Sequence, residues 1–242
     1  MKISNNKILI TGGASGIGFG LAERFVKEGN TVIICGRREF ALKEAQQKIP
    51  SLIIKQCDIA SAREREELFN WVATNHPDTN ILVNNAGIQN WMQITDVDFI
   101  KRAKEEIAIN IEAPLHLISL FIKHKALTAI LNVTSGLSFV PLIKVPVYSA
   151  TKAFFHSFTL SARALLKEKN IEIIEAIPPA LNTDLGGKGL HDQAPPVSEF
   201  IESIFAQLKE GKTELTFGLS EGLSKADYPG KQQIFTRMNQ LA

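Results

Sequence analysis

A glycine-rich turn between two apolar segments near the start of the chain constrains the fold more than any other feature. The segment Lys7-Ile-Leu-Ile-Thr11 leads into Gly12-Gly-Ala-Ser-Gly-Ile-Gly18, and apolar residues then recur at helical spacing until Gly29. A second apolar run, Thr31-Val-Ile-Ile-Cys35, shows no alternation, which is typical of a strand buried on both faces. This order predicts a βαβ unit whose glycines let a phosphate approach backbone N–H groups at the helix N-terminus. The glycine spacing is G-x-x-x-G-x-G rather than the commoner G-x-G-x-x-G, so an ordinary glycine turn is the alternative.

Strand-like and helix-like segments keep alternating along the rest of the chain. The pattern predicts helices over about 39–48, 64–74, 100–123 and 148–167, and strands over about 52–56, 80–83, 129–134 and 171–177. Such alternation indicates an α/β fold: a doubly wound parallel sheet with helices on both faces, a three-layer αβα, Rossmann-like architecture. Because no linker, repeat or low-complexity segment interrupts it, we predict a single domain over residues 1–242.

Charge and composition exclude several classes of function. The 27 Lys+Arg nearly balance the 25 Asp+Glu, so we expect no nucleic-acid partner. No apolar run approaches the ~18 residues that span a bilayer, and the start of the chain is too polar for a signal peptide, so we expect a cytoplasmic protein without a membrane span. Two cysteines, Cys35 and Cys57, suit a reducing compartment; we interpret them as buried thiols, with a redox pair as the alternative. The histidines show no metal-ligand spacing, so no metal site is expected, and His116 and His124 are read as structural or surface residues.

The segment Tyr148-Ser-Ala-Thr-Lys152 supplies a candidate acid–base group. It begins a helix entered through Pro146, and positions four apart lie on one helix face, so the phenol and the ammonium should lie close together. A nearby ammonium favours the phenolate, and we therefore predict that Lys152 lowers the pKa of Tyr148 toward neutrality. The alternative is a tyrosine and a lysine on a solvated helix face.

The candidate functional residues all follow predicted strands. Gly12, Asp58, Asn84, Ser135 and Pro179 each stand just after a strand. The carboxyl ends of parallel strands meet along one edge of an open sheet, where the ligand crevice lies. Separate motifs arriving at one edge are stronger evidence for a site than any single motif.

The combined motifs resemble those of the short-chain dehydrogenase/reductase family over essentially the whole chain up to about residue 217. The matching residues are Thr11-Gly-Gly-Ala-Ser-Gly-Ile-Gly18, Asn84-Asn-Ala-Gly87, Asn110, Ser135, Tyr148 and Lys152. The resemblance implies a Rossmann-like fold, reversible hydride transfer between a nicotinamide cofactor and a carbonyl or alcohol, and a catalytic tetrad of Asn110, Ser135, Tyr148 and Lys152. The C-terminal part more faintly resembles bacterial oxidoreductases encoded with teichoic-acid D-alanylation genes.

The resemblance also implies contacts around the cofactor. Asp58 would contact the adenine, Asn84 would lie beside the adenosine, and Thr183 would reach the nicotinamide carboxamide. Where the family commonly has Pro-Gly, this chain has Pro178-Pro179, and proline cannot take the positive φ that glycine allows. The backbone path beside the nicotinamide is therefore expected to differ.

The chemistry of these side chains can be argued from the residues as well. Ser135 and Tyr148 can both donate hydrogen bonds to a carbonyl oxygen on which negative charge develops. Pro114 follows Asn110 by four positions and lacks an N–H, so the Asn110 carbonyl loses its usual helical partner. That carbonyl is expected to bind a water and relay protons toward Lys152; the alternative is that Pro114 only bends a helix.

The end of the second strand predicts the choice of cofactor. An acidic residue there would bond the ribose 2′-hydroxyl and repel a 2′-phosphate, but this chain has Gly36, Arg37 and Arg38. A guanidinium can bind a phosphate through paired hydrogen bonds, so we predict NADP(H) in preference to NAD(H), unless both arginines are merely solvated. The full set of expected cofactor contacts is Gly12, Ser15, Gly16, Ile17, Gly18, Arg37, Arg38, Asp58, Asn84, Ala86, Gly87, Tyr148, Lys152, Pro178 and Thr183.

The remaining expectations concern the substrate and the partners. The apolar segment 137–143 suggests a largely apolar carbonyl or alcohol substrate, and the Gly- and Pro-rich segment 185–196 suits a lid, although both can be surface loops. Apolar residues Ile234, Met238 and Leu241 predict a C-terminal helix docked on its own domain. The long helices favour a homodimer or homotetramer.

Two other functions remain open. A catalytically silent NADP-binding regulator would keep the fold without needing the tyrosine and lysine. A sugar-nucleotide epimerase or dehydratase would usually carry another glycine spacing and a longer substrate domain.

Overall fold

A parallel sheet forms the centre of the molecule. The computed structural model describes residues 1–240, and within them the sheet has seven strands in the order β3-β2-β1-β4-β5-β6-β7, with every neighbouring pair parallel. The strands are β1 (Lys7–Thr11), β2 (Thr31–Gly36), β3 (Ile53–Gln56), β4 (Ile81–Asn84), β5 (Ala129–Val133), β6 (Glu172–Ile177) and β7 (Glu214–Thr216). The predicted doubly wound, single-domain αβα architecture is confirmed.

Helices cover both faces of the sheet. They are α1 (Gly16–Lys27), α2 (Glu39–Lys48), α3 (Ala62–Asn75), α4 (Phe99–Ile107), α5 (Ala113–Phe121), α6 (Pro146–Leu166), α7 (Val197–Lys209), α8 (Leu219–Lys225) and α9 (Tyr228–Met238). Each helix within residues 1–240 is too short or too polar to cross a membrane.

The apolar strands bury both of their faces, as their lack of alternation predicts. Side chains alternate across a strand, so Ile8 and Ile10 of β1 join a core layer with Phe25 and Phe205, whereas Leu9 joins the opposite layer. The second layer includes Leu117 of α5, and each of these side chains is at most 1% exposed. The sheet is therefore buried between two helical layers, and only its edges are open to a ligand.

The strand order reverses between β1 and β4, and this switch locates the ligand crevice. β1 pairs with β2 on one side and with β4 on the other, so the connections after β1 and β4 lead away to opposite faces. The loops after β1, β4, β5 and β6 meet at the carboxyl edge of the sheet, where an open α/β sheet leaves a crevice.

The predicted long helix over 100–123 is interrupted. α4 passes into a π-helical turn at Ala108–Glu112 before α5 begins, with Pro114 in the first turn of α5. A π turn replaces the usual bonding pattern by a wider one and often occurs at functional sites. The irregularity expected from Pro114 is therefore present as a bulge centred on Asn110.

Beyond β6, the sequence pattern predicted only the C-terminal helix. α7 covers the first core layer, β7 is a three-residue edge strand, and α8 returns toward the crevice. α9 is the predicted C-terminal helix and contains Ile234 and Met238, whereas Leu241 lies outside the described residues.

Candidate active site

A cleft of about 940 Å³ opens along the carboxyl edge of the sheet. Most of the residues predicted for catalysis or cofactor binding line it: Gly12, Ser15, Gly16, Ile17, Arg37, Arg38, Asp58, Ala86, Gly87, Ser135, Tyr148, Lys152, Pro178 and Thr183. Three predicted residues, Gly18, Asn84 and Asn110, are absent from this lining and lie behind it. Separate motifs therefore do converge on one site.

The glycine turn after β1 forms one end of the cleft. Gly16 begins α1 with a φ of +53°, a conformation that disfavours any side chain. Gly18 lies behind the lining, where a Cβ atom would collide with the carbonyl oxygen of Gly12. The Gly12 N–H donates to the Cys35 carbonyl at 2.8 Å, which joins the turn to the end of β2. The backbone of the turn and the N-terminus of α1 thus face the cleft.

The first turns of α6 bring the predicted acid–base pair together. Tyr148 and Lys152 are 6% and 5% exposed, and the Lys152 Nζ lies 5.6 Å from the centre of the Tyr148 ring. The ammonium donates to the Val133 carbonyl at 2.9 Å, so the end of β5 fixes its position. Ser135, two residues further along, is close enough to the phenol to lower its pKa. The helix start and the strand end together place the three side chains in one buried corner.

The predicted lowering of the Tyr148 pKa is wrong. Burial raises the pKa of Tyr148 well above that of an ordinary phenol; Ser135 opposes this shift, and Glu106 adds to it. Burial also lowers the pKa of Lys152 to about 8. Spacing along one helix predicts attraction between phenolate and ammonium, but desolvation of the buried pair disfavours the charged form of each. Tyr148 is therefore held as a phenol that can give a proton.

Asn110 holds the loop that follows β4. Its Oδ1 accepts the Ile88 N–H at 2.9 Å, and its Nδ2 donates to the Ile88 carbonyl at 2.9 Å and to Thr151 Oγ1 at 3.1 Å. The side chain is buried, with both ends of the amide engaged. Asn110 thus connects the π turn to the loop that follows β4 and to α6, between Tyr148 and Lys152.

Comparisons with known proteins agree with this geometry. The profile of the short chain dehydrogenase family matches residues 6–194. The chain is also 44% identical over 253 aligned residues to an uncharacterized oxidoreductase, DltE, of Bacillus subtilis strain 168, covering 99% of this chain and 98% of that protein. The chain belongs to the short-chain dehydrogenase/reductase family. The fainter resemblance to oxidoreductases of D-alanylation loci is likewise confirmed.

Solved structures share the fold of this short-chain dehydrogenase/reductase. A short chain dehydrogenase from Burkholderia cenocepacia in complex with NADP superimposes with a TM-score of 0.83 at 23% identity, covering 98% of this chain and 99% of that chain. A 3-ketoacyl-(acyl-carrier-protein) reductase from Brucella melitensis complexed with NADH superimposes with a TM-score of 0.79 at 23% identity, covering 89% of this chain and 97% of that chain.

The paired asparagines after β4 differ in position. Asn84 is 4% exposed and donates from Nδ2 to Asn132 Oδ1 at 3.0 Å, inside the sheet rather than in the cleft where the adenosine was expected. Asn85 lines the cleft instead. Its Nδ2 donates to the Thr11 carbonyl at 2.9 Å, and its N–H donates to Thr11 Oγ1 at 3.1 Å. Asn84 therefore ties β4 to β5, and Asn85 ties β4 to the glycine turn.

The predicted arginines lie at the open end of the cleft. Arg37 and Arg38 are exposed, directly after Gly36 and before α2. Among residues 1–240, neither has a carboxylate within ion-pair distance. Asp58 lines the cleft nearby, and its Oδ1 accepts the Ala60 N–H at 3.0 Å. This rim therefore offers positive charge that the described part of the chain does not neutralise.

The thiols and the double proline occupy structural positions. Cys35 and Cys57 are free within the described chain, and burial raises the pKa of Cys57 to about 12. Pro178 is buried, and its carbonyl accepts the Gly136 N–H at 2.9 Å, which joins the ends of β5 and β6. Pro179 and Thr183 follow along the cleft, and Thr183 packs near Gly16.

Residues that the sequence pattern did not predict also line the cleft. Leu142 belongs to the predicted apolar segment, but Leu219, Leu223 and Met238 come from the C-terminal helices. Asn239 fixes this wall, because its Oδ1 accepts the Ile143 N–H at 2.8 Å and its Nδ2 donates to the Pro141 carbonyl at 3.1 Å. α9 thus docks on its own domain as predicted, and it also helps to form the cleft.

Residues after β6 also line the cleft. Leu185, Gly186 and His191 of the expected lid segment line the cleft. The segment consists of turns, and Gly186 and Gly189 each have a φ of +80°. Its position agrees with a substrate-covering role, while its opening and closing stay a prediction.

Proposed function

We propose that this short-chain dehydrogenase/reductase transfers a hydride between NADP(H) and a carbonyl or alcohol substrate, with Ser135, Tyr148 and Lys152 as catalytic residues and Asn110 completing the tetrad. The observation that carries the proposal is the buried corner in which a phenol, a hydroxyl and an ammonium meet at the carboxyl edge of the sheet. Family membership supports the same class of reaction.

The residues around the cleft fit a dinucleotide. The glycine turn presents its backbone to the cleft, with Gly16 at a φ of +53° at the start of α1, and an anion can bind at such a helix N-terminus. Arg37 and Arg38 suit the 2′-phosphate, Asp58 the adenine, and Gly87 and Thr183 the nicotinamide end. The expected set also includes Ser15, Ile17, Ala86 and Pro178. A bound nicotinamide would supply or accept the hydride.

Tyr148 acts as the proton donor during carbonyl reduction. Ser135 and Tyr148 donate hydrogen bonds to the carbonyl oxygen, and the phenol then protonates the oxygen as negative charge develops on it. The raised pKa of Tyr148 keeps the proton in place until that charge appears. An alkoxide is a much stronger base than a phenolate, so transfer from the buried phenol remains favourable.

Lys152 stabilises the phenolate that remains after transfer. Its ammonium is close enough to favour that charge, and its pKa of about 8 lets it exchange a proton near neutral pH. We propose that a water on the Asn110 carbonyl, at the π turn, resupplies protons toward Lys152.

The substrate class follows from the walls of the cleft. Leu142, Leu223 and Met238 form an apolar surface beside the reacting corner. We propose a small-molecule carbonyl or alcohol whose remote part is largely apolar, because such a group gains free energy when these side chains exclude water from it. A silent NADP-binding regulator remains the second candidate function.

We also propose that the protein forms a homodimer or homotetramer. Ile100 and Ile107 are exposed on one face of α4, and Phe154 and Leu165 are exposed on one face of α6. α4 and α6 pack against each other, so these apolar side chains offer a surface to a second copy.

The test of the reaction is Tyr148→Phe, assayed by NADPH oxidation with a panel of carbonyl compounds. The change keeps the ring and removes the proton donor, so turnover should fall by roughly 10²- to 10⁴-fold while NADPH affinity barely changes. Tyr228→Phe is the matched control, because Tyr228 is 74% exposed on α9 and should not affect the rate.

Two outcomes would count against the enzyme. A Tyr148→Phe variant that reduces the best panel substrate at the parental rate would remove Tyr148 from the mechanism. A protein that binds NADPH but oxidises it with no panel compound would favour the silent regulator.

A further inference from the structure

Three side chains on one face of α4 and the π turn hold the loop that follows β4. Arg102, Glu106 and Asn110 are spaced four residues apart, which places them on one helical face. Arg102 donates to the Trp91 carbonyl at 2.8 Å, Glu106 accepts the Asn90 N–H, and Asn110 bonds both backbone groups of Ile88. We call this set the helix ladder and residues 88–91 the cleft wall, because all four line the cleft.

Glu106 is the unusual member of the helix ladder. It is fully buried, and within the described residues its Oε2 has no hydrogen-bond partner. The Asn90 side-chain amide is near enough to lower the carboxyl pKa, yet its Nδ2 also lacks a partner within bonding distance in the described chain. A buried carboxylate with an unbonded oxygen is costly, so this position favours the neutral acid.

Glu106 also acts on the proton donor across the helix interface. α4 packs on α6, and the charge of Glu106 raises the pKa of Tyr148. Burial raises the pKa of Glu106 itself to about 7, with Arg102 and the two Asn90 contacts opposing the shift. Protonation of this carboxyl therefore falls within the working range of a cellular enzyme.

We propose that Glu106 is a positioning residue whose proton state couples the placement of the cleft wall to the ease with which Tyr148 gives up its proton. The ionised carboxylate accepts a charge-assisted bond from Asn90 and holds the wall, but it repels the negative charge that forms on Tyr148. The neutral acid releases that repulsion and weakens the bond to Asn90. This inference rests on the proposed function only for its effect on catalysis, since the effect on the wall is independent of turnover.

Trp91 provides a readout that needs no activity. It follows Asn90 in the cleft wall, and the chain has only one other tryptophan, Trp71, which packs on His76. In a Trp71→Phe background, the fluorescence of Trp91 should change with pH around a midpoint of about 7. The change should disappear in Glu106→Gln and persist in Glu105→Gln, an exposed neighbour on the same helix.

Other charged groups face the same region, and the variants separate them. Tyr148 and Arg102 face Glu106, the Lys144 Nζ lies 5.7 Å from the Trp91 ring, and His191 lines the cleft. A transition caused by His191 would persist in Glu106→Gln and would overturn the proposal. A wild-type signal that is flat between about pH 5 and pH 9 would overturn it as well.

The kinetic arm measures the coupling to Tyr148. With an active substrate, kcat for reduction should fall as the pH rises through about 7 in the wild type. In Glu106→Gln the step near pH 7 should vanish, leaving only the fall set by Lys152, whose pKa is about 8. KM should depend on pH in the wild type and become independent of pH in the variant. If Tyr148→Phe shows that the proposed reaction is wrong, the fluorescence arm still tests the wall.

A second variant covers the case in which Glu106→Gln does not fold. Glu106→Asp keeps a carboxyl but withdraws it from Asn90, so the Trp91 transition should remain with a smaller amplitude. An amplitude equal to that of the wild type would show that the contact with Asn90 does not place the wall.

Discussion

We expect cofactor choice to depend on one exposed side chain at the rim of the cleft, that of Arg37. Arg37 follows the end of β2, where an acidic residue would otherwise meet the ribose, and Gly36 adds no bulk. Its backbone is held, because the Arg37 carbonyl accepts a bond from Gln56 Nε2 at 3.1 Å. Within residues 1–240 its guanidinium has no carboxylate partner to give up on binding a phosphate. We therefore expect Arg37→Ala to weaken NADP(H) binding selectively.

The magnitude follows from exposure. A hydrogen bond to a charged group contributes about 1.5–3 kcal/mol, and an exposed site should lie at the lower end because water competes for both partners. About 1.4 kcal/mol corresponds to tenfold in affinity, so Arg37→Ala should weaken NADPH binding roughly tenfold. NADH lacks the phosphate, and its affinity should change by less than about twofold.

Calorimetric titration of both cofactors into the same preparations measures this difference. Lys43→Ala is the control, because Lys43 lies on the neighbouring α2, is exposed and is already paired with Glu39 at 2.7 Å. Arg38, the N-cap residue of α2, is adjacent to Arg37, so Arg38→Ala measures its contribution to NADPH binding separately from that of Arg37. Unchanged NADPH affinity in Arg37→Ala, or tighter binding of NADH than of NADPH by the parent, would refute the assignment.

Two further predictions concern stability and assembly. Phe205 is fully buried, and its ring lies 4.8 Å from the Phe25 ring and 4.8 Å from the Arg24 guanidinium, so Phe205→Ala should lower the free energy of unfolding, measured in urea, by about 3–5 kcal/mol. The control is Val97→Ala, because Val97 is fully exposed. A loss below about 1 kcal/mol in Phe205→Ala would contradict the packing argument. Light scattering should give a mass of two or four times 26.7 kDa, and Leu165→Asp should shift it toward the monomer. A monomer alone at micromolar concentration would disprove assembly.

Local patterns determined the order of the elements and the edge at which they meet. The conformations of the strand, glycine turn and helix at residues 7–27 depend mainly on residues that are close in the chain. They could therefore be predicted from the spacing of apolar residues and glycines alone. The convergence of Gly12, Asp58, Ser135 and Pro178 follows from parallel pairing, because the carboxyl ends of parallel strands share one edge.

Features that depend on desolvation could not be predicted from spacing. The i,i+4 arrangement of Tyr148 and Lys152 was correct, but the sign of the Tyr148 pKa shift was wrong. Attraction between the two groups depends on their spacing along one helix, whereas the cost of burial depends on every segment that covers them. Likewise, Asn84 and Asn85 are adjacent in sequence, and only the packed sheet decides that Asn84 turns inward while Asn85 lines the cleft.

Contacts between distant segments were decided by the tertiary structure alone. The spacing of Arg102, Glu106 and Asn110 is visible in the sequence, but their common target in residues 88–91 is not. Met238 joins the cleft only because Asn239 docks α9 on the loop before α6. Periodicity indicates which side chains share a face of a helix or strand. The packing of the whole chain decides which segment contacts that face, because the folded arrangement minimises exposed apolar area and unpaired polar groups over all segments at once.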